Sequence, residues 1–273
     1  LSSPWRLRVI QDPKLRLIAA PAVRDRVVHH ALLTDIGPVY ERSFMHHSYA
    51  AGTGRGPHRA VFQYLTWLRR FRYRLHLDIS GYFLNIDHAR LRGDLFRRLE
   101  DTRTRWLIDI ILRNSGTVYQ QSLARRVLGV SSPNAGKGLP LGSWFSQWCG
   151  AYYLNPMDHY LKRVVKVPGY LRYMDDCVLF CDDKGHLEDC RTLLAAWLAD
   201  NRGLTLNPNK LDVTPHHSPG VFLGYRISRS GISPSHKLRR RMKARLRLAA
   251  GKGDEALIRS IRAYGGLLCF PHG

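Results

Sequence analysis

Two adjacent carboxylates, Asp175 and Asp176, sit between the β-prone runs Tyr170-Leu171-Arg172-Tyr173-Met174 and Cys177-Val178-Leu179-Phe180, where folding alone gives no reason to place them. A third, Asp78, closes the apolar run Leu75-His76-Leu77 and leads into Ile79-Ser80-Gly81-Tyr82-Phe83. Acidic groups gathered at strand ends repel one another unless a cation lies between them. Mg2+ takes carboxylate and phosphate oxygens, so the set points to metal-assisted nucleotide chemistry. Strand side chains alternate faces, so a hairpin tipped by Asp175 and Asp176 turns one carboxylate to a cleft while its neighbour supports the turn. With the Asp78 strand alongside, Asp78 and Asp175 would hold two Mg2+ ions about 4 Å apart. One would activate a primer 3′-hydroxyl; the other would hold the triphosphate and stabilise the leaving pyrophosphate. Taken alone, the Asp pair is also what an ordinary hairpin turn carries.

Positioning these groups requires strands that end at one edge. Residues 1–20 read as a strand or ribbon, and Pro21 leads into a helix with Val23, Val27, Leu32 and Leu33 on its apolar face beside Arg24, Arg26 and His30. The basic loop 50–59 is glycine-rich but lacks the Gly-Lys-Ser/Thr ending of a nucleotide-triphosphatase loop, which excludes that class. The pattern then predicts a helix over 60–71, the Asp78 strand from residue 73, and a short helix capped by Asn85 or Asp87. Another helix follows over 106–112, and a Gly-, Ser- and Pro-rich loop over 129–138. Residues 143–165 have helical spacing, with a buried stripe through Phe145, Cys149, Tyr152, Tyr153, Met157 and Leu161 and a kink at Pro156. Beyond the acidic hairpin come a helix over 187–201 and short strands near 204–206, 211–214 and 221–227. The tail 235–265 is helical and carries Lys237, Arg239, Arg240, Arg241, Lys243, Arg245 and Arg247, either a solvated face or a wall beside a nucleic-acid channel. Alternating helices and strands predict a mixed sheet backed by helices.

The 273 residues carry 43 Lys and Arg against 21 Asp and Glu, a formal charge of +22. Self-repulsion of that size is tolerated when a polyanion covers the surface, which makes RNA or DNA the expected partner. Arg exceeds Lys, favouring bidentate phosphate contacts and base stacking. The cysteines at 149, 177, 181, 190 and 269 show no metal-finger spacing and read as reduced thiols of a cytoplasmic protein, bacterial or phage-encoded. No apolar run reaches the length of a membrane span, and no secretory signal is visible.

Tyr173-Met174-Asp175-Asp176 resembles the central signature of reverse transcriptases, and further blocks follow in that family's order. Leu77 to His88 resembles the first catalytic-aspartate block, and Gly138 to Gln147 the block beneath the incoming nucleotide and template. Leu204-Thr205-Leu206-Asn207-Pro208-Asn209-Lys210 resembles the lysine block, and Phe222-Leu223-Gly224-Tyr225 the primer-grip strand. The resemblance implies an α+β right-hand polymerase fold with fingers and palm, an antiparallel palm sheet backed by helices, and a short helical thumb. The implied boundaries are fingers over 1–72, palm over 73–230 with an inserted fingers segment at about 113–142, and a basic thumb over 231–273. It also implies RNA-directed DNA synthesis with two Mg2+ ions, which Mn2+ can replace, on template RNA with a DNA primer.

Carried over by position, Asp78 and Asp175 are the principal metal ligands, with Asp176 supporting and the Ile79 backbone contributing. Phe83 falls at the aromatic gate that excludes a 2′-hydroxyl. Gly81, Tyr82, Leu141, Arg24, Arg26 and Lys210 are expected at the nucleotide. Arg55, Gln147, Arg172, Phe222, Leu223, Gly224 and Arg240 are expected along template and primer. Many reverse transcriptases have Gln where this chain has Leu141, and Ser146-Gln147 replaces a commoner Ser-Pro or Pro-Gln pair. Both departures are similar to reverse transcriptases of diversity-generating retroelements, which copy with errors at template adenines alongside a small basic oligomeric accessory protein. Compactness points the same way, with no room for a maturase domain or endonuclease. The alternatives are a group II intron-derived or bacterial defence enzyme, an RNA-dependent RNA polymerase, which Phe83 disfavours, and an inactive palm-fold RNA-binding scaffold.

Overall fold

The computed structural model describes residues 3–11, 15–129, 136–209 and 211–270, apart from the side chains of 268 and 269. Lys210, the Cys269 side chain and part of the 129–138 loop lie outside the described residues. A ribbon opens the chain, with β1 (Arg6–Gln11) antiparallel to β2 (Leu15–Ala20). Helix α1 (Val23–Glu41) corrects the expected apolar face: Val23 and Val27 are 67% and 63% exposed. The buried stripe instead runs through Asp25, His29, Leu32, Leu33, Ile36 and Tyr40. The two polar members are accommodated by partners, since Asp25 accepts the Ser3 amide and His29 meets the Ser143 hydroxyl.

Helix α2 (Pro57–Arg70) starts on Pro57, whose missing N–H costs nothing in a first turn. Strand β3 (Tyr73–Leu77) precedes a single helical turn, α3 (Tyr82–Asn85). Helix α4 (His88–Phe96) is capped by Asp87, and α5 (Thr102–Thr117) by Asp101, which starts α5 earlier than its apolar spacing suggested. Helix α6 (Ser122–Leu128) follows. The long helix expected over 143–165 is broken into α7 (Trp144–Tyr153) and α8 (Asn155–His159), as Pro156 foretold, and ends in a π turn over Tyr160–Val164.

Strands β4 (Gly169–Tyr173) and β5 (Asp176–Cys181) form the acidic hairpin, followed by α9 (Lys184–Arg202) and β6 (Val213–Pro215). The sheet order is β4-β5-β3-β6, antiparallel at every step. The expected strand at 204–206 is only a bridge between Ile79 and Leu206. The single strand expected at 221–227 is two, β7 (Gly220–Phe222) and β8 (Tyr225–Ser228), which with β9 (Gly231–Pro234) make a second sheet. Helices α10 (His236–Ala250) and α11 (Asp254–Cys269) pack together at the end.

Alternation along the strands sorts the core into two layers. Leu75, Leu77, Cys177 and Leu179 face a large cluster with α1, α7 and α9; Leu171, Val178 and Phe180 face α2 and the second sheet. No helix among the described residues is long and apolar enough to cross a membrane.

Candidate active site

Register decides where the acidic groups meet. Leu77 lies opposite Cys177 as the last pair of β3 with β5, and Asp78 and Asp176 are the next residues along the two chains at that edge. Tyr173 also pairs with Asp176, leaving Met174 and Asp175 as a two-residue turn, with Met174 at φ 56. All three carboxylates are half-buried. Cross-strand partners share a face, so Tyr173 and Asp176 lie on the α2 side of the sheet. Asp175 adds to the effect of burial, which pushes the Tyr82 hydroxyl well above its ordinary range.

The segment after β3 is held from its other edge. The Asn207 amide donates to the Asp78 carbonyl at 2.7 Å and the Ser80 amide to the Thr205 carbonyl at 2.9 Å. In that pairing the amide and carbonyl of Ile79 are directed away from Leu206, toward the hairpin side. The Asn207 side chain donates from Nδ2 to Asp78 Oδ2 at 3.0 Å, while its Oδ1 accepts the Asn209 amide at 3.1 Å. Asn207 therefore orients Asp78, a role the motif reading missed. Its signal was the turn chemistry of Asn207-Pro208-Asn209.

Gly81 takes φ 55 at the start of α3, and an added Cβ would meet Asn85 Nδ2 at 3.0 Å. Phe83 is half-buried, its ring edge-on to Tyr82 and so close to Gly150 that a Cβ there would lie 3.1 Å away. Leu141 is half-buried against the ribbon, its carbonyl accepting the Ala19 amide at 2.7 Å. Arg24 and Arg26 are exposed on the first turn of α1, Gln147 is exposed on α7, and Arg240 is exposed on α10. Leu223 and Gly224 form the β7–β8 turn, at φ 48 and 88, and are half-buried.

Three expected contacts are corrected, and one is narrowed. Tyr82 is 2% exposed and donates its hydroxyl to the Gly150 carbonyl, so its side chain belongs to the core and only its backbone is left for the expected phosphate contact. Phe222 is equally buried, stacked on Tyr64 with ring centroids 5.6 Å apart, because strand alternation turns Val221 outward and Phe222 inward. The Arg55 guanidinium is committed to the carbonyls of Phe44, Met45 and Ser48, at 3.4, 2.9 and 2.6 Å, and does not reach out to a template. Arg172 is fully buried and ion-paired to Asp158 at 2.6 Å, so it touches no duplex backbone. Burial opposes its charge, yet Asp158 holds its pKa above the ordinary value. Asp158 and Ser48 were not anticipated; an acidic residue inside the apolar stripe of 149–161 was the available signal for the former.

Among the described residues, no group of three or more His, Cys, Asp or Glu is gathered as a ready-made metal cage. The donors beside the hairpin are hard carboxylate oxygens with a main-chain carbonyl directed the same way. Such a set suits Mg2+, which is bound by one or two carboxylates and completes its shell with water and phosphate oxygens.

A family profile described as reverse transcriptase (RNA-dependent DNA polymerase) matches residues 11–227. Protein YkfC of Escherichia coli (strain K12) is 28% identical over 254 residues, covering 79% of this chain and 64% of YkfC. The group II intron-encoded protein LtrA of Lactococcus lactis is 22% identical, covering 84% of this chain and 47% of LtrA. The chain thus spans less than two thirds of either relative. In fold it is similar to telomerase from Candida albicans (TM-score 0.56, 13% identity, 91% of this chain and 50% of that one). Apo telomerase from Candida tropicalis matches with the same score at 11% identity, covering 86% of this chain and 49% of that one.

Proposed function

Because the chain belongs to the reverse transcriptase (RNA-dependent DNA polymerase) family, we propose that it extends a DNA primer on an RNA template at the cleft formed by Asp78, Asp175 and Asp176. The observation that carries this reading is the antiparallel pairing of β3 with β5, which ends at Leu77 opposite Cys177 and so brings Asp78 to the same edge as Asp176 and the turn bearing Asp175. Asp78 and Asp175 would hold Mg2+ together with the Ile79 carbonyl, and Asp176 would support them. When bound, Mg2+ supplies the lowered pKa of the primer 3′-hydroxyl and charge stabilisation on the leaving pyrophosphate. Asn207 fixes the rotamer of Asp78, so the carboxylate is oriented before substrate arrives.

In this reading residues 1–72 serve as fingers, 73–230 as the palm with an inserted fingers segment at about 113–142, and 231–273 as the thumb. Phe83 excludes a 2′-hydroxyl, Leu141 and the exposed Arg24 and Arg26 border the nucleotide, and Gly81 brings backbone close to phosphate. Gln147, the Leu223–Gly224 turn and Arg240 line the template and primer. Lys210 is kept as a nucleotide contact.

On a primed RNA template we expect extension with dNTPs and little with rNTPs. Asp175→Asn is expected to abolish extension while RNA–DNA binding persists. Preferential rNTP use, or a fully active Asp175→Asn enzyme, would refute the assignment. Similarity to LtrA favours a group II intron-derived enzyme, whereas Leu141 favours a diversity-generating retroelement with its basic accessory partner. Sequencing the cDNA separates them: errors concentrated at template adenines, reduced by Leu141→Gln, mark the retroelement, and uniformly faithful copying rules it out.

A further inference from the structure

The turn that presents Asp175 is unusual in needing a positive φ at a residue with a side chain, Met174 at φ 56. Such a conformation persists only where its surroundings over-determine it. Those surroundings are found on the opposite face of β4, beneath the acidic groups. Arg172 points there, because it alternates with Tyr173, whose cross-strand partner is Asp176.

The Arg172 guanidinium is fully buried, and each of its nitrogens donates. Nε and Nη2 grip the two oxygens of Asp158 at 2.7 and 2.6 Å. Nη2 also reaches Ser48 Oγ and the Ala151 carbonyl, both at 3.0 Å. Nη1 donates to the carbonyl of Met174 at 2.9 Å. Tyr170 adds its hydroxyl to Asp158, locking the carboxylate from a third direction. The anchor continues outward: segment 47–49 pairs with the Arg172 backbone through His47 and Tyr49, each bond 2.9 Å, and the Ser48 carbonyl accepts Arg55 at 2.6 Å. Arg55 belongs to the glycine-rich loop, so one unbroken chain of bonds joins that loop to the acidic turn.

A planar guanidinium can hold a carboxylate with one edge and a carbonyl with another, which a single ammonium cannot do. The ion pair alone could be replaced by apolar packing with little loss of stability. What apolar packing could not supply is a fixed donor at the Met174 carbonyl. We propose that Arg172, seated on Asp158, is a positioning residue: it fixes the Met174 carbonyl and thereby the direction in which Asp175 presents its carboxylate. Its effect on turnover rests on the polymerase reading above; its effect on the turn does not.

Three variants test it. Arg172→Lys keeps the charge but loses the fork. Arg172→Met combined with Asp158→Asn leaves no uncompensated buried charge, and so guards against simple unfolding. Ser48→Ala removes one bond and is the mildest. Each is compared with wild type for melting temperature, RNA–DNA duplex affinity, Mn2+ binding without nucleotide, amide exchange over residues 174–177, and kcat and KM for dNTP. In Arg172→Lys and the paired variant we expect kcat to fall about tenfold or more, with KM and duplex affinity within about threefold. Mn2+ affinity should weaken about fivefold, and turn amides should exchange about tenfold faster. Ser48→Ala should show the same pattern at about twofold to threefold. A folded variant with wild-type turn exchange, Mn2+ affinity and kcat overturns the proposal. Should wild type itself fail to extend a primer on RNA, the polymerase reading falls, while turn exchange still decides the role of Arg172.

Discussion

Asn207→Asp is the perturbation whose outcome can be worked furthest from the structure. Asn207 Oδ1 accepts the Asn209 amide at 3.1 Å, which directs Nδ2 at Asp78 Oδ2, 3.0 Å away. An aspartate keeps the turn, since one oxygen still accepts from Asn209, and places its other oxygen against Asp78. A donor–acceptor contact becomes a like-charge contact at the same separation. Two unit charges 3.0 Å apart repel by about 1.4 kcal/mol at the dielectric of water and about 5.5 kcal/mol at an effective value of 20. The site is half-exposed, and screening leaves about 1–3 kcal/mol, equivalent to about one to two pH units. A proton or a divalent cation must occupy the pair to relieve it. The acid limb of the primer-extension rate profile is therefore expected to move up by about one to two pH units at fixed Mg2+. Raising Mg2+ should shrink the shift, because cation and proton compete for the same oxygens. Asn207→Ala is the control: it loses a charge-assisted bond, about 1.5–3 kcal/mol, without adding charge. Superimposable acid limbs for the Asp and Ala variants would refute both the contact and the place of Asp78 in the site.

Other outcomes follow from single positions. Gly142 has φ 123, and a Cβ there would lie 2.5 Å from the Ala19 carbonyl oxygen, so Gly142→Ala should drive the ribbon from the Leu141 segment. A cost of about 2–3 kcal/mol, read as a melting temperature lower by about 5 °C or more, is expected; an unchanged melting curve would contradict that close approach. Burial lowers the His47 pKa from 6.5 to about 4, with His46, Lys162 and Arg55 acting in the same direction. The folded protein thus binds this proton less readily than the unfolded chain. The stability involved is fully present above pH 6.5 and is lost as pH falls toward 4. Urea midpoints at the two ends of that window should differ less in His47→Gln than in wild type. Phe83→Ala should raise use of rNTPs relative to dNTPs, measured as the ratio of kcat/KM values, and an unchanged ratio would dissociate Phe83 from the sugar.

Much of the site was legible because its chemistry requires local patterns. Acidic residues between β-prone runs announce themselves against burial, and Asp175 does occupy the turn while Asp176 opens β5. Pro156 marked the break between α7 and α8, and the basic residues of 235–247 fall on α10. The α1 face was misread because amphipathic counting treats Asp25 and His29 as solvent-facing, whereas their partners come from Ser3 and Ser143, far away in sequence.

Sequence by itself determined which oxygens were available, that strands would carry them, and that the chain as a whole would be strongly basic. Tertiary structure alone decided which side chains were free to act. Arg55 and Arg172 read as phosphate contacts by type, but burial forces a guanidinium to spend its donors on carbonyls and on Asp158. Asn207 and Asp78 lie 129 residues apart, and only strand pairing brings an amide to that carboxylate. Charge and spacing are local properties of a chain, whereas desolvation and hydrogen-bond competition depend on every segment that folds against it.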